Sequence, residues 1–194
     1  MALNDKQIHD LCLLEEEGMI FPFVREKVRS GALSYGLGHF GYDIRIADEI
    51  VVPKPLDPHD IICPALPGQI DKQRLQTFKL GRSPDWGGEN MLILEPGDFV
   101  MAGTLEYFRI PDDIVGVVHD KSTLARLGIA VQNTVMEPGW EGYLTVEISN
   151  HGVNRVALTK EMPIAQVIFF RGDRPQRVYT GRYQGQERGA PAKS

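Results

Sequence analysis

The sequence has few of the features that mark several common protein classes. Its 194 residues include only two cysteines, Cys12 and Cys63, too few for a disulfide framework or a four-cysteine zinc site. No apolar run approaches the ~20 residues of a membrane span. The N-terminus also lacks the pattern of a signal peptide. We therefore expect a cytoplasmic protein that has no membrane partner.

Basic residues are also fewer than acidic ones. The chain has 21 Lys and Arg residues against 26 Asp and Glu, which gives a formal net charge of -5 at pH 7. A broad nucleic-acid surface is usually basic, so the composition predicts no nucleic-acid partner. A small anionic ligand stays compatible with this charge, because one local basic cluster is enough to bind it.

Familiar motifs of hydrolytic chemistry are absent as well. The five histidines show no metal-ligand spacing, and the zinc deaminase signature, H-x-E followed by P-C-x-x-C, does not occur. There is no G-x-S-x-G nucleophile motif. We expect no protein-bound metal, and any hydrolysis must activate water without a tightly held zinc.

Helix signals are concentrated near the N-terminus. Asp5 is a plausible cap and Gly18 a natural stop, and a second short helix is predicted over residues 23–30. Between the cap and the stop, apolar residues recur at helical spacing: Ile8, Leu11, Cys12 and Leu14.

Most of the remaining chain has the pattern of short strands separated by Gly/Pro turns. Residues 53–90 are long excursions with one strand near 76–80, and turns are expected at EPGD (95–98) and NHG (150–152). This pattern predicts a mainly β barrel or sandwich with few helices, as a single domain over residues 1–194. Residues 179–194 are interpreted as a flexible C-terminal lid or tail.

The segment DKSTLARLG (120–128) carries a short helix signal. Ser122 or Thr123 is a good N-cap and Gly128 a good stop. Exposed backbone N–H groups at a helix start suit phosphate oxygens, and Lys121 and Arg126 add positive charge. The spacing alone fits a capped structural helix with surface charges equally well.

Two carboxylates follow this helix. Glu147 lies in YLTVEISN, where alternation places it on one face with Tyr143 and Thr145 if Leu144, Val146 and Ile148 face the core. Glu137 begins the turn-like EPGW. Taken alone, neither acid indicates a function: the pattern favours a solvated strand position for Glu147, and simple turn chemistry explains Glu137.

Four segments in this order resemble the dCTP deaminase family of the dUTPase-like superfamily. They are SYGLGHFGYDIRIADE (34–49), DKSTLARLGI (120–129), VQNTVMEPGWEGYLTVEISN (131–150) and GRYQGQ (181–186). The resemblance implies a homotrimer of distorted, jelly-roll-like β barrels, with active sites between subunits and the C-terminal segment folding over the nucleotide. It also implies hydrolytic deamination of dCTP to dUTP and ammonia, without zinc and with Mg²⁺ on the triphosphate, and possible inhibition by dTTP.

The resemblance also implies roles for individual residues. Glu147 falls on the family's catalytic glutamate, with Ser122 and Arg126 orienting water and supporting its ionised form. Positions implied to bind the substrate are Lys121, Thr123, Glu137, Thr145, Val146, Tyr179, Arg182 and Gln186.

Two positions depart from the family pattern, and two other functions stay open. Asp120 stands where the family usually has glycine, and Arg182 where it often has lysine. Glu137 and the QN pair at 132–133 motivate a dUTPase or a bifunctional deaminase that also releases pyrophosphate, although the TVMEP stretch (134–138) lacks the bifunctional pattern. Asp120, an acid beside the expected phosphates, motivates a non-catalytic nucleotide sensor.

Overall fold

The computed structural model describes residues 1–13, 17–81, 91–132 and 134–193. Within these ranges the protein is mainly β, as its sequence predicts. Its helical segments are α1 (Asp5–Leu13), a 3₁₀ turn (Ile70–Lys72) and α2 (Ser122–Ala125). No helix in the described ranges is both long and apolar enough to cross a membrane.

The strands follow one another with short connections, except for the long connections from β4 to β5 and from β5 to β6. In chain order they are β1 (Ile20–Phe21), β2 (Val28–Ser30), β3 (Leu33–Leu37), β4 (Tyr42–Lys54), β5 (Arg74–Lys79), β6 (Leu92–Leu94), β7 (Phe99–Arg109), β8 (Ile114–Asp120), β9 (Ile129–Gln132), β10 (Val135–Met136), β11 (Glu141–Asn150), β12 (Val156–Leu158) and β13 (Pro163–Arg171).

The long strand β4 joins the two halves of one curled antiparallel sheet. Its residues 42–45 pair with β13, and its residues 46–51 pair with β7. The strand order through this point is β10-β8-β13-β4-β7-β11-β9, and β6 pairs separately with β12. Because β4 changes partner along its length, the sheet bends around a core to which α1 adds Ile8 and Cys12.

The helix predicted over residues 23–30 is wrong. Residues 28–30 form β2, which pairs with β3 through a turn containing Gly31 at φ 59°. Ahead of it, the Val24 N–H donates to the hydroxyl of Tyr42, and the Val24 carbonyl accepts from Leu37. These long-range partners satisfy the backbone groups that a local helix would have used.

The N-terminal helix is present, but its cap lies one residue earlier than predicted. The Asn4 side chain accepts from the Gln7 N–H at 3.0 Å, and the Gln7 side chain accepts from the Asn4 N–H at 3.1 Å. This reciprocal pair is a capping box, so Asp5 is the first helical residue rather than the cap. The predicted helix position Leu14 lies outside the described residues.

The predicted strand near residues 76–80 is confirmed as β5, and the EPGD turn is confirmed at 95–98. Asp98 closes that turn by accepting from the Glu95 N–H at 2.8 Å, and Gly97 has φ 92°. The turn does not make a hairpin, because β6 pairs with β12 while β7 pairs with β1, β4 and β11.

A buried ion pair connects the strands at the centre of the sheet. Glu106 of β7 is fully buried and accepts from Arg45 of β4 twice, from Nε at 2.8 Å and from the backbone N–H at 3.0 Å. Beside it, the Thr104 hydroxyl donates to the Glu106 carbonyl at 2.7 Å and accepts from the Leu144 N–H of β11 at 3.0 Å. Three strands thus share one polar network.

Removing one partner of this pair should destabilise the fold. Glu106→Ala leaves the Arg45 guanidinium buried without its carboxylate, so we expect a loss of about 3–5 kcal/mol in the free energy of unfolding. The matched control is Glu95→Ala, which breaks an exposed Glu–Arg pair of the same 2.8 Å length, with Arg155, and should cost at most about 1 kcal/mol. Chemical denaturation measures both, and equal losses would contradict the assigned role.

Candidate active site

A cavity of about 390 Å³ lies between β11, the loop before it and the C-terminal segment. We call it the β11 cavity. Five of the residues singled out from the sequence line it: Glu137, Thr145, Glu147, Tyr179 and Gln186. Tyr179 and Gln186, which follow Glu147 by 32 and 39 positions in the chain, therefore meet the other three at one site, because the C-terminal segment returns to β11.

Glu147 is positioned by pairing on both edges of its strand. Opposite it lie Met101 of β7 and Gln132 of β9. The side chain is half-buried and faces the β11 cavity together with Met101. Burial raises the pKa of the Glu147 carboxyl above its ordinary value of 4.5, because a poorly hydrated site disfavours the charged form. Such a carboxyl is suited to exchanging protons.

The face of β11 differs from the simple alternation predicted. The pairing with β7 shifts between Tyr143 and Thr145, so Leu144, Thr145 and Glu147 line the cavity whereas Tyr143 packs against Tyr107 instead. The predicted substrate-binding residue Val146 is 2% exposed and belongs to the core. It lies outside the described lining of the β11 cavity.

The C-terminal segment forms one wall of the β11 cavity. Gln186 donates to the Thr145 hydroxyl at 2.7 Å and to the Tyr143 carbonyl at 3.1 Å, and it pairs with Gly142 in a single parallel bridge. Tyr179 is anchored through its N–H to the Pro138 carbonyl at 2.8 Å. These contacts dock the segment against β11.

Sequence reasoning missed several lining residues. Trp140 is buried, lines the β11 cavity and donates from its indole N–H to the Tyr183 carbonyl at 2.8 Å. Gln73 and Phe99 reach the same cavity from distant parts of the chain. Trp140 lay inside the quoted EPGW motif and could have been singled out, whereas no local signal marks the other two.

The residues around α2 line a second cavity of about 230 Å³, which we call the α2 cavity. Lys121, Ser122 and Thr123 contribute to it, together with Asp43 and Asp120. Among the described residues, none lines both cavities. The residues singled out from the sequence are therefore divided between two places within one chain.

Helix α2 is shorter than predicted and is capped differently. It has four residues, its N-cap is Lys121, and no side chain caps it, so neither Ser122 nor Thr123 has that role. Gly128 is confirmed as the stop, with φ 86°, where a Cβ would collide with Gly152. Ser122 is exposed.

Most of the charge in the α2 cavity is already paired. The Lys121 ammonium lies 2.8 Å from the buried Asp43 carboxylate, which Lys27 also approaches at 3.3 Å. The unexpected acid Asp120 accepts from the Val131 N–H at 2.7 Å and so ties the end of β8 to β9. This hydrogen bond gives Asp120 a structural role that the family pattern did not predict.

The two predicted arginines lie outside both cavities. Arg126 is exposed and donates to the Ser122 carbonyl at 3.1 Å. Arg182 is exposed and donates to the Lys193 carbonyl at 2.8 Å. Neither forms an ion pair with any described residue, so both guanidinium groups keep donors available for an anion.

Comparisons with known proteins agree with the resemblance found in the sequence. The model of the dCTP deaminase-like family matches residues 2–172. A protein named dCTP deaminase from Herpetosiphon aurantiacus is 40% identical over 188 residues, covering 90% of each chain. Another from Acidobacterium capsulatum is 35% identical, covering 95% of this chain and 94% of its own.

The fold also has a solved counterpart. The crystal structure of 2'-deoxycytidine 5'-triphosphate deaminase from Agrobacterium tumefaciens superposes with a TM-score of 0.61 at 18% identity, over 88% of this chain and 48% of that chain. This likeness confirms the predicted β architecture. The family model and the relatives at 35–40% identity lead to one conclusion: the chain belongs to the dCTP deaminase-like family.

Proposed function

We propose that this protein catalyses the hydrolytic deamination of dCTP to dUTP and ammonia. The observation that carries the proposal is Glu147, a half-buried carboxylate with a raised pKa on the wall of the β11 cavity. Relatives named dCTP deaminase align over about nine-tenths of the chain, which gives the proposal its substrate.

The chemistry needs a group that moves protons in both directions. Water attacks C4 of the cytosine ring while N3 gains a proton, and the C4–N bond then breaks as the amine leaves protonated. Glu147 takes the proton from water and passes it on, as base and then as acid, a role typically worth roughly 10²–10⁴-fold in rate. Thr145 and Gln186, hydrogen-bonded to each other at 2.7 Å, orient the base.

We place the complete site between subunits of a homotrimer. Ser122 and Arg126, which would orient water and support the ionised Glu147, are exposed around α2 and lie outside the β11 cavity. The nearby apolar side chains Leu127 and Val135 are each 50% exposed, as expected of a surface that a neighbour covers. In this arrangement, α2 of one subunit completes the β11 cavity of the next.

In this proposal, the Mg²⁺ ion binds to the triphosphate of the substrate rather than to a site on the protein. Within the described ranges, no three His, Cys, Asp or Glu side chains come together in a metal-binding group. A divalent ion would therefore be held mainly by phosphate oxygens and water, which Mg²⁺ favours, and it would neutralise phosphate charge. Independence from zinc, inhibition by dTTP, a cytoplasmic location and movement of residues 179–194 as a lid stay predictions.

One observation favours a second activity. Glu137 lines the same cavity as Glu147, so a second carboxylate is available to activate water. A bifunctional enzyme that goes on to release pyrophosphate, or a dUTPase, is therefore the alternative. The QN pair that also motivated it is only partly described, since Asn133 lies outside the described residues.

A product assay tests the proposed function. We expect the purified protein with dCTP and Mg²⁺ to release ammonia and accumulate dUTP. Glu147→Gln should lower ammonia release by roughly 10²-fold or more while still binding dCTP, because it removes the proton carrier but little volume. Formation of dUMP and pyrophosphate would favour the alternative, and unchanged turnover of the variant would refute the role of Glu147.

The acid limb of the pH profile should report on the burial of Glu147. The base form must be ionised, so kcat/KM should fall as the pH drops, with a midpoint set by the pKa of Glu147, which burial raises. Met101→Gln makes the facing wall more polar and should move that midpoint to lower pH, whereas Met101→Leu should leave it in place. If neither substitution changes the midpoint, a group other than Glu147 is responsible for the acid limb.

Mixing two inactive variants tests the shared site. Ser122→Ala and Glu147→Gln each damage every site in their own trimers. If α2 and Glu147 come from different subunits, random exchange of a 1:1 mixture should restore about a quarter of the sites. Native mass spectrometry of the mixture shows whether mixed trimers form, and wild type mixed with Glu147→Gln, which leaves about half of the sites active with or without exchange, sets the activity scale. If exchange is shown but no activity returns, both groups act from the same chain.

A further inference from the structure

The C-terminal segment crosses β7 and β11 at two glycines where there is no room for a side chain. A Cβ on Gly103 would lie 2.7 Å from the backbone nitrogen of Gly189 and 2.7 Å from the Cβ of Arg188. A Cβ on Gly142 would lie 2.7 Å from the backbone nitrogen of Gln186. We call Gly103 and Gly142 the glycine track.

Arg188 makes the side-chain contacts that hold the segment at this track. Its guanidinium lies 4.0 Å from the centre of the Tyr143 ring. Its Nε donates to the Thr104 carbonyl at 3.3 Å and its Nη2 to the Leu105 carbonyl at 3.4 Å. Both carbonyls lie where the pairing of β7 with β11 shifts. Tyr143 is itself held edge-on by Tyr107 at 5.0 Å.

The residues on either side of Arg188 belong to the wall of the β11 cavity. Gln186 is 7% exposed and donates to the Thr145 hydroxyl at 2.7 Å. Ala190 accepts from the same hydroxyl at 3.5 Å. Because Arg188 lies between them, its contacts hold both wall residues in register with Thr145.

We propose that Arg188, seated over Tyr143 at the glycine track, is a positioning residue that sets nucleotide affinity by keeping Gln186 and Ala190 in the cavity wall. For a ligand that binds only the docked form, the apparent dissociation constant is the intrinsic one divided by the docked fraction. Arg188 lies outside the cavity lining and takes no part in the chemical step. The inference rests on the proposed function for its kinetic readout, while docking is tested separately.

The docking test uses limited trypsin digestion of the full chain, following cleavage after Arg182 by mass spectrometry. Arg188→Ala should raise the cleavage rate about threefold to tenfold, because an exposed cation–π contact and two hydrogen bonds are lost. Arg188→Lys keeps the charge but not the planar fork, so it should fall between wild type and Arg188→Ala. Gly103→Ala should match or exceed Arg188→Ala although it keeps the arginine in the sequence, because its Cβ would collide with Arg188 and Gly189. The control, Glu187→Ala at an exposed neighbour, should behave as wild type.

The kinetic test separates positioning from catalysis. For Arg188→Ala and Gly103→Ala, KM for dCTP should rise by the factor by which the docked fraction falls, which exceeds twofold only once the segment is mostly undocked, while kcat stays within about twofold. Wild-type cleavage rates in both variants, or a fall in kcat with KM unchanged, would overturn the inference. If the wild-type protein releases no ammonia, the proposed function fails. The role of Arg188 is then decided by the cleavage rates of the variants and by their dissociation constants for dCTP.

Discussion

The buried pair of Arg45 and Glu106 is the constraint on which the centre of this fold depends. A charge removed from water must be matched by a partner and by further hydrogen bonds, or the folded state is strongly destabilised. Here both carboxylate oxygens of Glu106 accept from Arg45, and Thr104 extends the network to Leu144. These directional contacts fix β4, β7 and β11 relative to one another, which apolar packing alone would do less specifically.

This network coincides with the irregularity that shapes the candidate site. The pairing of β7 and β11 shifts between Tyr143 and Thr145. At this point the Thr104 hydroxyl accepts a hydrogen bond from the Leu144 N–H. The shift turns Tyr143 away from the β11 cavity and leaves Thr145 and Glu147 facing it. At the same point, the Thr104 and Leu105 carbonyls accept hydrogen bonds from Arg188. The orientation of Glu147, the proposed proton carrier, and the docking of the C-terminal segment therefore both meet at this one irregularity.

The sequence predicts features with a local cause and misses those with a distant one. Strand alternation and turn residues were enough for the β architecture, and a motif of adjacent residues was enough to single out Glu147. The helix over 23–30 failed because partners far along the chain take its backbone groups. Alternation failed at Tyr143 because the shift arises from pairing with β7. The division of the site between two cavities has no local signal at all.

The charges around α2 determine where a triphosphate could be held. Lys27 and Lys121 both contact Asp43, and Asp120 adds a second acid, so two cations and two anions leave the α2 cavity formally neutral. A single-turn helix also has only a small dipole to add. Phosphate binding must therefore rely on backbone N–H groups and on guanidinium groups outside the cavity. Arg126 and Arg182 are both exposed there, so in the proposed trimer, where neighbouring subunits would bring these groups together, a chain with net charge -5 could still bind a polyanion.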